Sequence, residues 1–103
     1  MVLVTAMYPN TPGSRFDRDY YLQTHIPLLK ERWSSMGLEN VRLVRGIGTA
    51  DGGEAPYRVI CLMSFRSMQD FQSAAGAHAA EIVGDVVNFT DASPIIQISE
   101  DFG

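Results

Sequence analysis

Residues 16–27 read FDRDYYLQTHIP, and this stretch decides how the rest of the chain is interpreted. It places an acidic residue, two adjacent tyrosines and a histidine in one short helical segment. Pro27 then follows, and a proline removes a backbone donor and clashes with the preceding turn of a helix. We therefore expect a kink or break near His25, and we expect any chemical site of the protein to lie in this segment.

The helix that contains this stretch has sequence signals at both ends. Ser14 followed by Asp17 is the S-x-x-D form of a capping box, which predicts that the helix begins near Arg15. Beyond the proline we expect the helix to continue over residues 27–36. Gly37 is well placed as the left-handed residue that ends it.

Apolar residues recur along this helix at a spacing that predicts one core-facing stripe. Tyr21 and His25 lie one turn apart on a flank of the stripe, whereas Tyr20 projects away from it. We therefore expect the first two at the edge of the core, and the third at the surface or an interface. The stripe itself consists of Leu22, Ile26, Leu29 and Trp33.

Four stretches are predicted to be strands. Residues 2–8 are apolar at nearly every position, which is typical of a strand covered on both faces. Residues 41–47 form the second strand, and Gly46 within it indicates a bulge or a close approach of the backbone. Residues 57–65 form the third strand, and residues 94–99 form the fourth.

Ser67 and Asp70 repeat the S-x-x-D cap and predict the start of a second helix. We expect Gly76 to interrupt this helix, with a continuation over residues 77–87. The order of elements is then β-α-β-β-α-β, the split βαβ arrangement. This order predicts a ferredoxin-like α+β fold, in which both helices lie on one face of a four-stranded antiparallel sheet.

The predicted sheet has one face that the chain itself cannot cover. Two helices cover a single face, yet the first and third strands are apolar on both faces. The other face would carry an apolar patch larger than soluble monomers tolerate. We therefore expect a homodimer in which two sheets pack against each other.

Composition limits the partners of the protein. With 103 residues the chain is one domain, residues 1–103. Its net charge is -4 and its eight Lys and Arg residues are scattered, which argues against nucleic-acid binding. No apolar stretch reaches the roughly 20 residues of a membrane span, and no charged-then-apolar leader precedes the first strand. We therefore expect a cytoplasmic protein that binds neither nucleic acid nor membrane.

The residues that most often bind metals or act as nucleophiles are few. The lone Cys61 lies in the apolar run VICLM and is predicted to be a small buried hydrophobe. His25 and His78 lie far apart in the sequence, and no cysteine pair accompanies them, so no zinc spacing is present. We therefore expect no metal and no cofactor.

Several of these residues together resemble a known family. The pattern F-x3-YY-x3-H-x-P is similar to the helix-one signature of EthD-like proteins, named after ethyl tert-butyl ether degradation; it consists of Phe16, Tyr20, Tyr21, His25 and Pro27. The similarity continues in Phe71, residues 78–82 (HAAEI), Asp85, residues 88–90 (NFT) and the closing PIIQIS. It covers nearly the whole chain and implies the dimeric α+β barrel architecture.

The resemblance defines a fold more closely than a reaction. The wider group of dimeric α+β barrels includes cofactor-free monooxygenases of aromatic polyketides, small isomerases, dehydratases and haem-degrading enzymes. For the EthD-like branch a defined reaction is mostly lacking. Barrels of this kind usually hold their ligand between the helices and the sheet, which implies a cavity for a hydrophobic or aromatic metabolite.

His25 and Tyr21 are the candidate catalytic residues. An imidazole titrates near neutral pH and could act as a general base or acid, and the tyrosine could hold the substrate or donate to a developing oxyanion. Asp17 could steer Tyr21, although it already serves in the predicted cap. The candidate substrate-binding residues are Arg45, which could anchor a carboxylate or phenolate, and Met7, Met63 and Trp33, whose soft or aromatic side chains suit an apolar ligand.

These residues leave several functions open. The first is a small cofactor-independent enzyme of the oxygenase, lyase or isomerase type, in which His25 transfers a proton. The second is a non-catalytic binding or accessory protein of a degradation pathway, because the sequence contains no complete catalytic constellation. A haem-binding histidine is the third, although no other feature supports it. The remaining alternative is that His25 is a purely structural residue.

Overall fold

The computed structural model describes residues 1–103, and its elements follow the predicted order β-α-β-β-α-β. Neighbouring strands are antiparallel, and their order in the sheet is β2-β3-β1-β4. The strands are β1 (Val2–Pro9), β2 (Leu38–Arg45), β3 (Tyr57–Phe65) and β4 (Ile95–Ser99). The predicted four-stranded antiparallel sheet of a ferredoxin-like α+β fold is therefore confirmed.

The first helix is irregular in its middle. It consists of α1 (Arg18–Tyr20), a π-helical turn (Tyr21–His25), α2 (Ile26–Trp33) and a 3₁₀ turn (Ser34–Met36). In the π-turn, the backbone N–H of Ile26 donates to the carbonyl of Tyr21, five residues earlier. The wider turn accommodates Pro27, whose ring would clash in a regular α-helix. The break expected near His25 is thus a π-turn, and the helix continues through the proline.

The π-turn changes which side chains face the sheet. Leu22 was expected on the core stripe but is 38% exposed. Tyr21 and His25 were expected on the flank, yet they are only 2% and 3% exposed and belong to the core. A π-turn contains more residues than an α-turn, so it rotates the following side chains relative to a regular helical wheel. The predicted stripe holds beyond the turn, for Ile26, Leu29 and Trp33.

The first helix also begins later than predicted. Asp17, not Ser14, is the N-cap residue, and its carboxylate accepts a backbone N–H of the first turn at 3.0 Å. The preceding residues are held in an extended conformation by the chain beyond the second helix. The N–H of Asp17 donates to the carbonyl of Phe89 at 2.7 Å, and the Thr90 hydroxyl donates to the carbonyl of Arg15 at 2.6 Å. This pairing keeps Arg15 out of the helix.

The second helix, α3 (Met68–Gly84), is regular throughout. Ser67 caps it as predicted, because its hydroxyl accepts the N–H of Asp70 at 3.0 Å. The interruption expected at Gly76 is wrong, since this glycine lies inside the continuous helix. A glycine keeps its backbone N–H and only weakens a helix, whereas a proline removes the donor. The helix ends at residue 84, and a 3₁₀ turn (Val86–Asn88) follows.

Two predicted glycine positions are confirmed by their geometry. Gly37 ends the first helix in the left-handed conformation, with a φ of 100°. At Gly46 a Cβ atom would lie 2.1 Å from the carbonyl oxygen of Tyr57, so the backbones approach closely there.

The two faces of the sheet differ in cover. The face toward the helices contributes Val4, Cys61 and Phe65 to the core. The opposite face carries half-buried apolar side chains, which include Leu3, Met7, Ile60 and Leu62. None of the helices has the length and apolar character needed to cross a membrane.

Candidate functional site

A single carboxylate joins the first helix to the end of α3. The Oδ2 atom of Asp85 accepts a hydrogen bond from Nδ1 of His25 at 2.9 Å. Its Oδ1 atom accepts from the Tyr20 hydroxyl at 2.6 Å and from the Asn88 side-chain amide at 3.0 Å. Both carboxylate oxygens are therefore used, and three groups converge on one residue.

Local structure brings these groups within reach of one another. Tyr20 ends α1 and His25 ends the π-turn, so both side chains come from the irregular part of the first helix. Asp85 directly follows α3, where its backbone N–H still bonds to the carbonyl of Glu81. The following 3₁₀ turn then carries Asn88 back toward the carboxylate. The site thus forms where the end of one helix meets the wide turn of the other.

An aromatic cluster supports the histidine from the other side. Phe89 is fully buried, and its ring centroid lies 4.6 Å from that of His25 and 4.9 Å from that of Tyr21. Tilted and edge-to-face contacts of this kind contribute about 0.5–1.5 kcal/mol per pair beyond the buried area. The same phenyl ring also contacts Tyr8, Phe16 and Tyr20. The imidazole is therefore fixed between this cluster and the carboxylate.

The hydrogen bond to Asp85 defines the tautomer of His25. An ionised carboxylate can only accept hydrogen bonds, so Nδ1 carries the hydrogen. Burial lowers the pKa of His25, and the hydrogen bond and the negative charge of Asp85 offset only part of this effect. The imidazole is therefore neutral at neutral pH, and Nε2 is its basic nitrogen.

Asp85 itself stays ionised. Burial alone would raise the pKa of this carboxyl, but the hydrogen bonds from Tyr20, Asn88 and His25 outweigh it and hold the pKa below its usual range. The hydrogen bond between Tyr20 and Asp85 also raises the pKa of the Tyr20 phenol. The site thus combines a carboxylate, a neutral imidazole and a protonated phenol.

A cavity of about 230 Å³ lies between the helices and the sheet, and no charged side chain lines it. His25 and Tyr21 both contribute to its wall. The Nε2 atom of His25 makes no hydrogen bond within the protein. Every side-chain nitrogen or oxygen that is fully buried has a hydrogen-bond partner, so Nε2 is not fully buried. This nitrogen therefore keeps some accessible surface, and the imidazole forms part of the cavity wall.

The structure brings four of the six candidate site residues together in this cavity: His25, Tyr21, Trp33 and Met63. The Nε1 atom of Trp33 donates to the carbonyl of Ala74 at 2.9 Å, so the indole is held in place. Met7 lies on the opposite face of the sheet and does not line the cavity. Arg45 is exposed at the end of β2 and lies outside it as well.

Cys61 and His78 are the other two residues that the sequence analysis considered as a nucleophile or a metal ligand. Cys61 is buried as predicted and lines the cavity, and burial raises the pKa of its thiol to about 11. It is therefore a neutral thiol rather than a nucleophilic thiolate. His78 is half-buried in the middle of α3 and does not line the cavity.

Sequence reasoning missed three members of the site. Tyr20 was expected to face away from the core, but its hydroxyl is bonded to Asp85 and its ring stacks on Phe89. Asp85 and Asn88 received no role at all. The only signal for the three was the family resemblance, which includes these positions without saying what they do.

A second cavity of about 380 Å³ shares the wall residue Tyr21 with the first. It lies between the start of the first helix and the adjacent ends of β2 and β3. Its apolar wall consists of Phe16, Leu22, Leu43, Val44 and Val59. Three arginines complete it: Arg18, Arg45 and Arg58.

Comparisons with known proteins agree with this architecture. The chain is 36% identical to an EthD-like protein from Ralstonia eutropha JMP134, with a TM-score of 0.87; the match covers 96% of this chain and 89% of that one. An ethyl tert-butyl ether degradation (EthD) family protein from Bacillus halodurans C-125 is 22% identical, with a TM-score of 0.77 and 99% of each chain covered.

More distant structures share the fold alone. A candidate antibiotic biosynthesis monooxygenase from Bordetella bronchiseptica is 14% identical, with a TM-score of 0.64; the match covers 99% of this chain and 97% of that one. No curated protein matches the sequence.

The model of the EthD domain matches residues 14–93, which include the whole of the Asp85 site. With most of its length matched, the chain belongs to the EthD family.

Proposed function

We propose that this protein binds a small hydrophobic or aromatic metabolite in the cavity between helices and sheet, and that His25 removes a proton from it without a resident cofactor. One observation carries the proposal. His25 lines an apolar cavity, its Nε2 atom has no hydrogen-bond partner in the protein, and its Nδ1 atom is held by the carboxylate of Asp85. A neutral imidazole in this arrangement is a general base.

Asp85 has a positioning role in this proposal. Its carboxylate fixes the ring and the tautomer of His25, and it stabilises the imidazolium that forms when Nε2 accepts a proton. Tyr20 and Asn88 in turn hold the carboxylate.

Tyr21 is the candidate hydrogen-bond donor to the substrate. Burial raises the pKa of its phenol, so the hydroxyl keeps its proton. A phenol at this position can donate to the negative charge that develops on a deprotonated substrate. Removal of a proton from carbon or from a phenol is a first step that cofactor-free oxygenation, elimination and isomerisation share. The Bordetella bronchiseptica protein that shares the fold is described as a candidate antibiotic biosynthesis monooxygenase.

Ring opening of 5-nitrobenzisoxazole tests the base directly. Removal of its C3 proton by a base breaks the N–O bond and releases a coloured cyanophenolate, with no co-reactant. A base in an apolar cavity should accelerate this step above the rate in buffer, with the rate rising as the pH passes the lowered pKa of His25. We expect His25→Gln to reduce the rate at least about tenfold, because general-base catalysis contributes about 10²–10⁴-fold.

His78→Gln is the matched control, since this histidine lies outside the cavity. Its rate should equal that of the unmodified protein. Equal rates for the two glutamine variants would overturn the proposal. Circular dichroism and the elution volume of each variant establish that the fold is retained.

The second candidate function is binding without turnover. It is favoured by the wall of the cavity, which contains no charged side chain. No carboxylate, amine or guanidinium therefore lines the cavity as a second catalytic group. A volume of about 230 Å³ is below the roughly 300–1,000 Å³ of most drug-sized pockets and too small to enclose a haem. Binding of 4-nitrophenol that survives in His25→Gln, together with ring opening no faster than in buffer, would favour this function.

We further propose that the protein is a homodimer formed through the uncovered face of its sheet. The centre of this face is apolar on β1 and β3, where it carries Leu3, Met7, Ile60 and Leu62. A surface of this kind packs against a copy of itself in a twofold dimer. Light scattering at micromolar concentration should give twice the mass of one chain.

Two lysine substitutions, one in the proposed interface and one outside it, test this dimer. Leu62→Lys should give the mass of a single chain, because the charge would lie in the centre of the interface. Val87→Lys is the control, since this valine is exposed beyond α3. A monomeric mass for the unmodified protein would overturn the dimer and leave the role of His25 untouched.

A further inference from the structure

The second cavity differs from the first in its charge. Its three arginines take part in none of the salt bridges of the protein, whose cations are Arg32 and Arg66. No acidic residue lines the cavity. A chain with a net charge of -4 thus keeps three guanidinium groups around one apolar groove without a carboxylate to balance them.

The arginines retain most of their hydrogen-bonding capacity. Arg58 is half-buried and donates one bond, from Nη1 to the carbonyl of Ser14 at 3.1 Å. The side chains of Arg18 and Arg45 have no hydrogen-bond partner in the protein and are exposed. Since each guanidinium has five N–H donors in a planar fork, the groove offers paired donors that match a carboxylate.

The rest of the wall suits an aromatic ring. Phe16 and Tyr21 line it with aromatic rings whose centroids lie 5.0 Å apart, and aliphatic side chains of the first helix and of β2 and β3 complete the surface. A volume of about 380 Å³ lies within the usual range for a small-molecule site. The ligand that fits this combination has a flat apolar body and a carboxylate at one end.

We propose that this groove binds the carboxylate of a small aromatic acid, with Arg18, Arg45 and Arg58 as its anion-binding residues. The site is separate from the cavity of His25, and only Tyr21 belongs to both walls. The aromatic body lies against Phe16 and the aliphatic wall, and the carboxylate accepts hydrogen bonds from the guanidinium groups.

Calorimetric titration with 2-naphthoate, compared with neutral 2-naphthylmethanol, tests the charge requirement. The two probes share the same ring system, so a preference for the acid measures the contribution of its carboxylate. We expect the acid to bind at least about tenfold more tightly at low salt, with the advantage decreasing as salt is added. Equal affinities for acid and alcohol, or no binding of the acid at millimolar concentration, would overturn the proposal.

Arg45→Gln and Arg42→Gln locate the site. Both arginines are exposed on β2 and neither forms a salt bridge, but only Arg45 lines the groove. The first variant should lose about tenfold in affinity for 2-naphthoate. The second should stay within about twofold, because it changes the net charge equally without touching the site.

His25→Gln distinguishes this proposal from the proposed function. Binding of 2-naphthoate should be unchanged in that variant, because the imidazole does not line the groove. A loss of affinity in His25→Gln with none in Arg45→Gln would place the acid in the cavity between helices and sheet, and the groove would then not be its site.

Discussion

The two helices that cover the sheet differ in how they respond to a residue that disfavours helix. Helix α3 continues unchanged through Gly76, whereas the first helix widens into a π-turn before Pro27. A glycine keeps its backbone N–H, and its cost to a helix is only the larger conformational entropy that it loses on folding. Packing can outweigh this cost. A proline removes a donor and introduces a clash, so the backbone itself must change. Both Tyr20 and His25 lie on the helix that changed.

The regular helix still takes part in the site through its end. Asp85 and Phe89 follow α3 and contact the π-turn, which supplies His25. The irregular helix thus provides His25, and the chain after the regular helix provides the groups that hold its imidazole. Four substitutions or conditions test this division, in order of decreasing expected effect.

Phe89→Ala should break the contact between the two helices. The ring is fully buried and contacts the aromatic rings of the first helix, so its removal leaves a cavity that the fixed backbone cannot fill. We expect a loss of about 3–5 kcal/mol in the free energy of unfolding, measured with urea. Phe102→Ala is the control, because that ring is fully exposed and should change stability by less than about 0.5 kcal/mol. A loss below about 1 kcal/mol at residue 89 would show that the helices do not depend on this ring.

Asp85→Asn should show how much the charge and the accepting oxygens of Asp85 contribute, because the amide has nearly the same shape as the carboxylate. The amide replaces one accepting oxygen with a donor, so at least one of Tyr20 and His25 loses its partner. We expect a loss of about 1–3 kcal/mol in the free energy of unfolding and a slower ring opening of 5-nitrobenzisoxazole. Asp19→Asn is the control, since that residue is exposed and its charge change is the same. Equal stability of both variants would contradict a central role for Asp85.

Acid should weaken the first helix through His25. The pKa of this histidine is lower in the folded protein than its unfolded value of about 6.5, so the unfolded chain binds the proton first. Stability is therefore lost as the pH falls from about 6.5 to the lowered pKa, by about 1.4 kcal/mol for each pKa unit between the two values. Urea unfolding from pH 7.5 to 5 measures this loss. In His25→Gln the corresponding part of the pH dependence should disappear, and an unchanged profile would contradict the prediction.

Gly76→Ala should leave the regular helix regular and slightly more stable. The glycine is exposed, and a Cβ atom there would meet no other atom within 4 Å. We expect a gain of about 0.5–1 kcal/mol in the free energy of unfolding. Gly37→Ala is the contrasting variant, because its φ of 100° and a Cβ position 2.7 Å from that of Asp70 predict destabilisation. Destabilisation at residue 76 would indicate a packing role that its surroundings do not show.

Local sequence signals predicted the elements well where the governing contacts are local. The Ser67 cap, the left-handed Gly37 and the strand Tyr57–Phe65 all depend on residues a few positions apart, and all are confirmed. The irregularity before Pro27 was predicted at the right place, and the structure gives its form as a π-turn. A helical wheel assumes a constant rotation per residue, so it could not show that the π-turn would bury Tyr21 and expose Leu22.

The predicted start of the first helix was wrong for a related reason. Ser14 and Asp17 satisfy the same cap pattern that succeeds at Ser67, but the chain around Arg15 pairs with Thr90 instead. A contact between distant parts of the chain thus overrides a correct local preference. Sequence spacing contains no information about such a partner.

By itself the sequence determined the order of strands and helices and the antiparallel α+β sheet, and it indicated the segment that carries the candidate site. These follow from short-range propensity and from the periodic placement of apolar residues, which act along the chain. Only the tertiary structure decided that Asp85 holds His25 and Tyr20, and that three arginines surround a second cavity. The partners in each case are far apart in sequence, and they meet because the sheet and the two helices close the chain on itself.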